Sequence, residues 1–100
     1  MPKKFKIVWG DFAKSDLKNI YKFNRKHFSI EFAIKVRTEI YTAIGNIVFL
    51  EQWQKDEILN SSARRIIVRD YKIVYFVDNK NQINILMIFD TRQNPSKFKL

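Results

Sequence analysis

Cysteine is absent from this 100-residue chain, which excludes disulfides and thiolate-metal staples, so stability has to come from packing or from a bound partner. Glycine and proline occur only twice each, too rarely for a collagen-like or low-complexity chain. No apolar run approaches the ~20 residues of a membrane helix. The opening Met1-Pro2-Lys3-Lys4-Phe5-Lys6 lacks the apolar stretch of a signal peptide, so a cytoplasmic protein with no membrane partner is expected. Paired carboxylates, a Gly-rich phosphate loop and Cys/His metal spacing are also missing, and no cofactor is implied.

What is present is charge and apolar bulk. Hydrophobic residues make up 46% of the chain, against the composition of a disordered segment. A chain this short buries about 60 to 65% of its unfolded surface, which leaves room for one domain spanning residues 1–100. Nineteen Lys and Arg against ten Asp and Glu give a net charge of +9. The natural partners of such a surface are anionic: nucleic acid, ribosome, an acidic protein segment or an anionic membrane face.

Phe5, Ile7 and Trp9 recur with period two and predict a strand. Gly10 ends it, and Asp11 is placed to cap a helix in which Ala13, Leu17, Ile20, Tyr21 and Phe28 recur at helical spacing. Lys14, Lys18, Lys22, Arg25 and Lys26 make its outer surface basic. Ser29 is positioned to cap a second helix, with Glu31 in the dipole-favoured first turn and a stripe formed by Ala33, Val36, Ile40, Ala43, Ile44 and Ile47. Phe32 and Leu50 extend that stripe. Residues 51–62, around Trp53, read as a polar loop with at most one helical turn.

The remainder is β-structure. Ala63–Arg69, Lys72–Val77 and Gln82–Asp90 are rich in β-formers and are separated by Asp70-Tyr71 and by Asp78-Asn79-Lys80-Asn81. In the last strand Ile83, Ile85, Met87 and Phe89 alternate with Leu86 and Ile88, so both faces are apolar and a central position is expected. The result is an α+β fold of two layers: an N-terminal strand, an antiparallel two-helix hairpin, then a three-stranded antiparallel meander in one sheet. Helices enough for one face leave apolar surface on the other, which predicts a protein partner.

The order of elements and four motifs resemble the RelE/ParE toxin superfamily over nearly the whole chain. They are Asp11 to Tyr21 in the first helix, Ala33 and the stripe after it, Arg64-Arg65-Ile66-Ile67-Val68-Arg69-Asp70-Tyr71-Lys72-Ile73-Val74-Tyr75, and Met87-Ile88-Phe89-Asp90-Thr91-Arg92-Gln93-Asn94-Pro95. The resemblance implies a growth-inhibiting, plasmid-stabilising toxin of a type II toxin-antitoxin system. A cognate antitoxin would neutralise it, and it would meet operator DNA only within that complex.

Its target would be DNA gyrase for a ParE-like member, or the ribosome with mRNA for a RelE-like endoribonuclease. Metal-free cleavage needs cations around the phosphorane and groups that move protons. Arg64, Arg65, Lys72 and Arg92 are the catalytic candidates if the chain is RelE-like, because neighbouring strands could bring them to one patch. Arg69, Tyr75 and Phe98 are candidates for target binding. RelE-like members carry a functional tyrosine where this chain has Phe98, which can stack on a base but cannot shuttle a proton, so the ParE-like reading is favoured. Simpler readings stand beside these: edge-strand charges for the arginines, a packed aromatic for Tyr75, and a hinge residue for His27.

Overall fold

The computed structural model describes residues 4–53 and 63–92. A short strand β1 (Lys6–Trp9) leads into helix α1 (Asp11–His27), and helix α2 (Ile30–Trp53) follows after two residues. Strands β2 (Arg64–Val68), β3 (Tyr71–Val77) and β4 (Gln82–Asp90) complete the fold. The sheet order is β1-β4-β3-β2, with β2, β3 and β4 antiparallel in sequence and β1 parallel to β4. This is the expected α+β architecture, and β4 is central.

Both helix starts follow from local chemistry. The Phe32 amide donates to Ser29 Oγ (3.0 Å), satisfying one of the orphan donors of α2. For α1 the cap is Gly10, with no side-chain hydrogen bond, and Asp11 is instead the first helical residue. The reason is steric as well as electronic. The Gly10 amide donates to the Ile85 carbonyl (2.9 Å), and a Cβ at Gly10 would lie 3.0 Å from that same oxygen. A side chain there would crowd the point where the chain leaves the sheet, and glycine avoids that contact. Phe28, expected on the buried face of α1, lies beyond its end and is exposed.

The helical stripes and one face of the sheet form a single core. Ala13 and Leu17 of α1 and Val36, Ile40, Ile44 and Ile47 of α2 meet Tyr71, Ile73, Tyr75 and Val77 of β3 and Ile83, Ile85 and Ile88 of β4. The strict alternation expected for β4 breaks in its middle. Val74 pairs with Met87 but Tyr75 pairs with Ile85, so Leu86 has no β3 partner and the phase shifts by one. Ile88 therefore joins Ile83 and Ile85 in the core, while Met87 is only partly buried and Leu86 is exposed. Helix α2 runs to Trp53, past the loop expected from residue 51, because Glu51 is buried against the sheet.

Candidate functional site

Arg64 opens β2 on the helix-facing side, in register with Tyr75. Its Nη1 donates to Glu51 Oε2 at the end of α2, and the Tyr75 hydroxyl donates to Glu51 Oε1 (3.1 Å). Glu51 is 2% exposed and the Arg64 side chain 24%. A carboxylate near a helix C-terminus opposes the helix dipole, and the last turn of α2 holds no basic residue, so Arg64 is the compensating charge. The hydrogen bond to Glu51 raises the Arg64 guanidinium above its ordinary range. Burial, reinforced by the Glu51 carboxylate, pushes the Tyr75 phenol up to about 12.

The expected gathering of Arg64, Arg65, Lys72 and Arg92 on one patch is therefore corrected. Successive residues of a strand point to opposite faces, so Arg64 turns toward the helices and the exposed Arg65 turns away. Lys72 shares Arg65's face as a diagonal neighbour, since Arg65 pairs with Val74 and Ile67 with Lys72. Its ammonium sits 5.5 Å from the Phe89 ring centre. Arg92 lies past the end of β4 and forks onto Asp90 through Nε (3.0 Å) and Nη2 (2.9 Å), with Asp70 3.5 Å from its Nη1. That fork holds the Asp90 carboxyl below its usual range and raises Arg92.

Of the three target-binding candidates, Tyr75 is in the core and Phe98 lies outside the described residues. Arg69 is exposed, in the two-residue turn between β2 and β3, at a positive φ of 54°. Its guanidinium clamps Glu39 of α2 through Nε (2.6 Å) and Nη2 (3.0 Å) and lies 5.3 Å from the Phe32 ring centre. His27 stacks on Phe23 with ring centres 4.3 Å apart. Among the described residues no cluster of three His, Cys, Asp or Glu side chains could hold a metal.

A cleft that the sequence did not announce lies between α1 and β4, with a volume of about 460 Å³. It exists because the register of β1 ends at Trp9 opposite Ile85, after which the chain swings into α1. Among the described residues, the rest of β4 has no strand on that edge. The amide of Ile88 there donates to Asp16 Oδ2 of α1 (3.0 Å). Burial raises the Asp16 carboxyl, and this hydrogen bond only partly offsets the effect. Phe12, Phe23, Met87 and Phe89 line the cleft, with Phe12 77% exposed. An open strand edge beside exposed aromatic rings is suited to a peptide added in extended form. The signal in the sequence was Phe12, Asp16, Asn19 and Phe23, a second helical stripe on α1.

Residues 7–95 match the family described as ParE toxin of type II toxin-antitoxin system, parDE. Among solved structures, the chromosomal ParDE toxin-antitoxin system from P. aeruginosa has a chain with a TM-score of 0.68 and 19% identity, over 87% of this chain and 96% of that one. A chain of the toxin-antitoxin complex RelBE2 from Mycobacterium tuberculosis has a TM-score of 0.46 and 14% identity, over 88% and 99% respectively. No curated protein matches the sequence.

Proposed function

Since the chain belongs to the ParE toxin family of type II toxin-antitoxin systems, we propose that it poisons DNA gyrase without cleaving RNA, and that a cognate antitoxin holds it inactive. The observation that carries the non-enzymatic reading is the division of the cationic set. Arg64 is committed to Glu51 behind the sheet and Arg92 forks onto Asp90, so two of the four candidate cations already face a carboxylate of this chain. A protein that acts by binding has no need to gather them.

The antitoxin is proposed to occupy the cleft between α1 and β4. An extended segment would lie along the part of the β4 edge that no strand of the described residues covers, and set apolar side chains against Phe12 and Phe23. A net charge of +9 favours a partner that is acidic overall. Operator DNA would be met through the antitoxin in that complex.

The test is supercoiling by purified gyrase as the toxin is titrated in, beside cleavage of mRNA in a reconstituted translation reaction. Loss of supercoiling with intact message is expected, and equimolar antitoxin should restore it. A second, RelE-like reading keeps one observation in its favour, since Arg65 and Lys72 share the outer sheet face. Unaffected gyrase together with cleaved message would replace the first reading with the second.

A further inference from the structure

On the opposite flank of α1 a second recess, about 410 Å³ in volume, opens between the two helices and β1. Trp9, Tyr21 and Tyr41 line it together with Lys14, Lys18 and Arg37. Tyr41 is 52% exposed and its ring centre lies 5.5 Å from that of Trp9, tilted by 59°. Arg37 sits 4.5 Å from the centre of the Tyr21 ring, with Arg25 5.7 Å from the same centre. No carboxylate lines the recess, and none of the ion pairs among the described residues involves Lys14, Lys18 or Arg37.

We propose that this face binds single-stranded nucleic acid, with an unpaired base stacked on Tyr41 beside Trp9 and the flanking phosphates on Lys14, Lys18 and Arg37. The exposed Tyr41 ring beside the half-buried Trp9, set among cations that make no ion pair with the described residues, meets the two requirements of sequence-tolerant strand binding: a π-face for the base and a positive track for the backbone. Lys14, Lys18 and Lys22 are all exposed and stand one above another at four-residue intervals, a rise of about 6 Å per step along the helix. They extend the track beyond the recess.

The chemistry separates this face from the cleft assigned to the antitoxin. That cleft carries the carboxylates Asp16 and Asp90, which repel phosphate, and the apolar rings a peptide needs. The recess carries a single aliphatic lining residue, Leu17, and that one is buried. An acidic amphipathic peptide would find charge here but little apolar surface to cover. The inference does not depend on gyrase being the target.

Fluorescence anisotropy of the full chain with a labelled 20-nucleotide oligo(dT) tests it, with the same length of duplex and a poly-glutamate peptide as competitors. Single-stranded binding should weaken with salt at a log-log slope of roughly −2, the value for about three neutralised phosphates. Lys18→Glu should weaken it, and Tyr41→Ala should weaken it about ten-fold, on the scale of one lost base stack. Tyr41→Phe, which keeps the ring, should restore it, and Tyr41→Leu supplies a ring-free variant with retained bulk should the alanine variant not fold. Unchanged affinity in Tyr41→Leu overturns the proposal. So does a duplex that competes as well as the single strand, or displacement by poly-glutamate at equal charge, which would make the face an acidic-protein surface.

Discussion

Glu51, at the end of α2, accepts hydrogen bonds from both Arg64 and Tyr75, thirteen and twenty-four residues further along the chain. Neither strand residue has this partner in its own strand, so the ion pair forms only after α2 has docked on the sheet. Removing Glu51 leaves the partly buried Arg64 without its counter-charge and the Tyr75 hydroxyl without its acceptor. Glu51→Ala should therefore destabilise the fold by about 3 kcal/mol, near the lower end for a broken buried pair because Arg64 is only partly covered. The double variant Glu51→Leu/Arg64→Leu should recover most of that loss in urea denaturation. A double variant less stable than both singles would contradict this account.

Tyr75 makes stability fall at high pH. Its folded pKa of about 12 lies above the unfolded value near 10, so the neutral phenol is favoured in the native state. The contribution is complete below about pH 10 and is lost as pH rises through about 12. Tyr75→Phe should be less stable at neutral pH, because Glu51 loses a donor, and its deficit should shrink on going from pH 9 to 12. Thermal melts of both proteins across that range check this; a constant deficit refutes it.

Arg69 takes a positive φ that side chains with a Cβ tolerate poorly, at a cost of about 1 kcal/mol or more. The bidentate clamp on Glu39 accompanies this strain, but an exposed ion pair contributes little. Replacing Arg69 by Gly and by Ala removes the clamp in both cases and the strain only in the first. The glycine variant should be the more stable by about 1 kcal/mol, measured by equilibrium unfolding.

The two glycines should respond to alanine in opposite directions. Gly45 lies inside α2 with nothing within 4 Å of an added Cβ, so Gly45→Ala should stabilise by about 0.5 to 1 kcal/mol through helix propensity. Gly10→Ala should destabilise by about 1 kcal/mol or more, since its Cβ would press on the Ile85 carbonyl that anchors the start of α1. Melting temperatures of the two variants give the signs directly.

Phe12 separates docking from folding. It is 77% exposed, so Phe12→Glu should change stability by less than about 0.5 kcal/mol. If the antitoxin lies in the cleft between α1 and β4, the same change should weaken toxin-antitoxin binding at least ten-fold by calorimetry. Undiminished antitoxin affinity in a folded Phe12→Glu protein would place the antitoxin elsewhere.

Much of the fold was legible along the chain because it rests on short-range periodicity. The helical spacing of Leu17 and of Val36, Ile40, Ile44 and Ile47 marked the faces that meet in the core. Ser29 was readable as a cap from its place before an apolar run, and β4 as central from its two apolar faces. The site was read less well, since Arg64 and Arg65 were expected on one patch. Arg64 and Arg65 are adjacent in a strand, and alternation alone requires them to face apart.

Other features had no local signature. The irregularity at Leu86, which exchanges the faces of Met87 and Ile88, depends on the pairing of β3 with β4. The burial of Glu51 depends on where the end of α2 meets β2 and β3. The cleft beside Asp16 has its α1 wall marked by the stripe of Phe12, Asp16, Asn19 and Phe23, but its sheet wall depends on β1 ending early against a strand more than seventy residues away in sequence.

Residue order by itself determined the element types, the helical hairpin, the meander and a basic surface seeking anionic partners, because these follow from side-chain period and charge. Tertiary structure alone decided which cations face a carboxylate, and which part of the β4 edge has no strand beside it among the described residues. The physical reason is that a side chain's partner is set by strand register and helix docking, and both join residues that the chain itself keeps far apart.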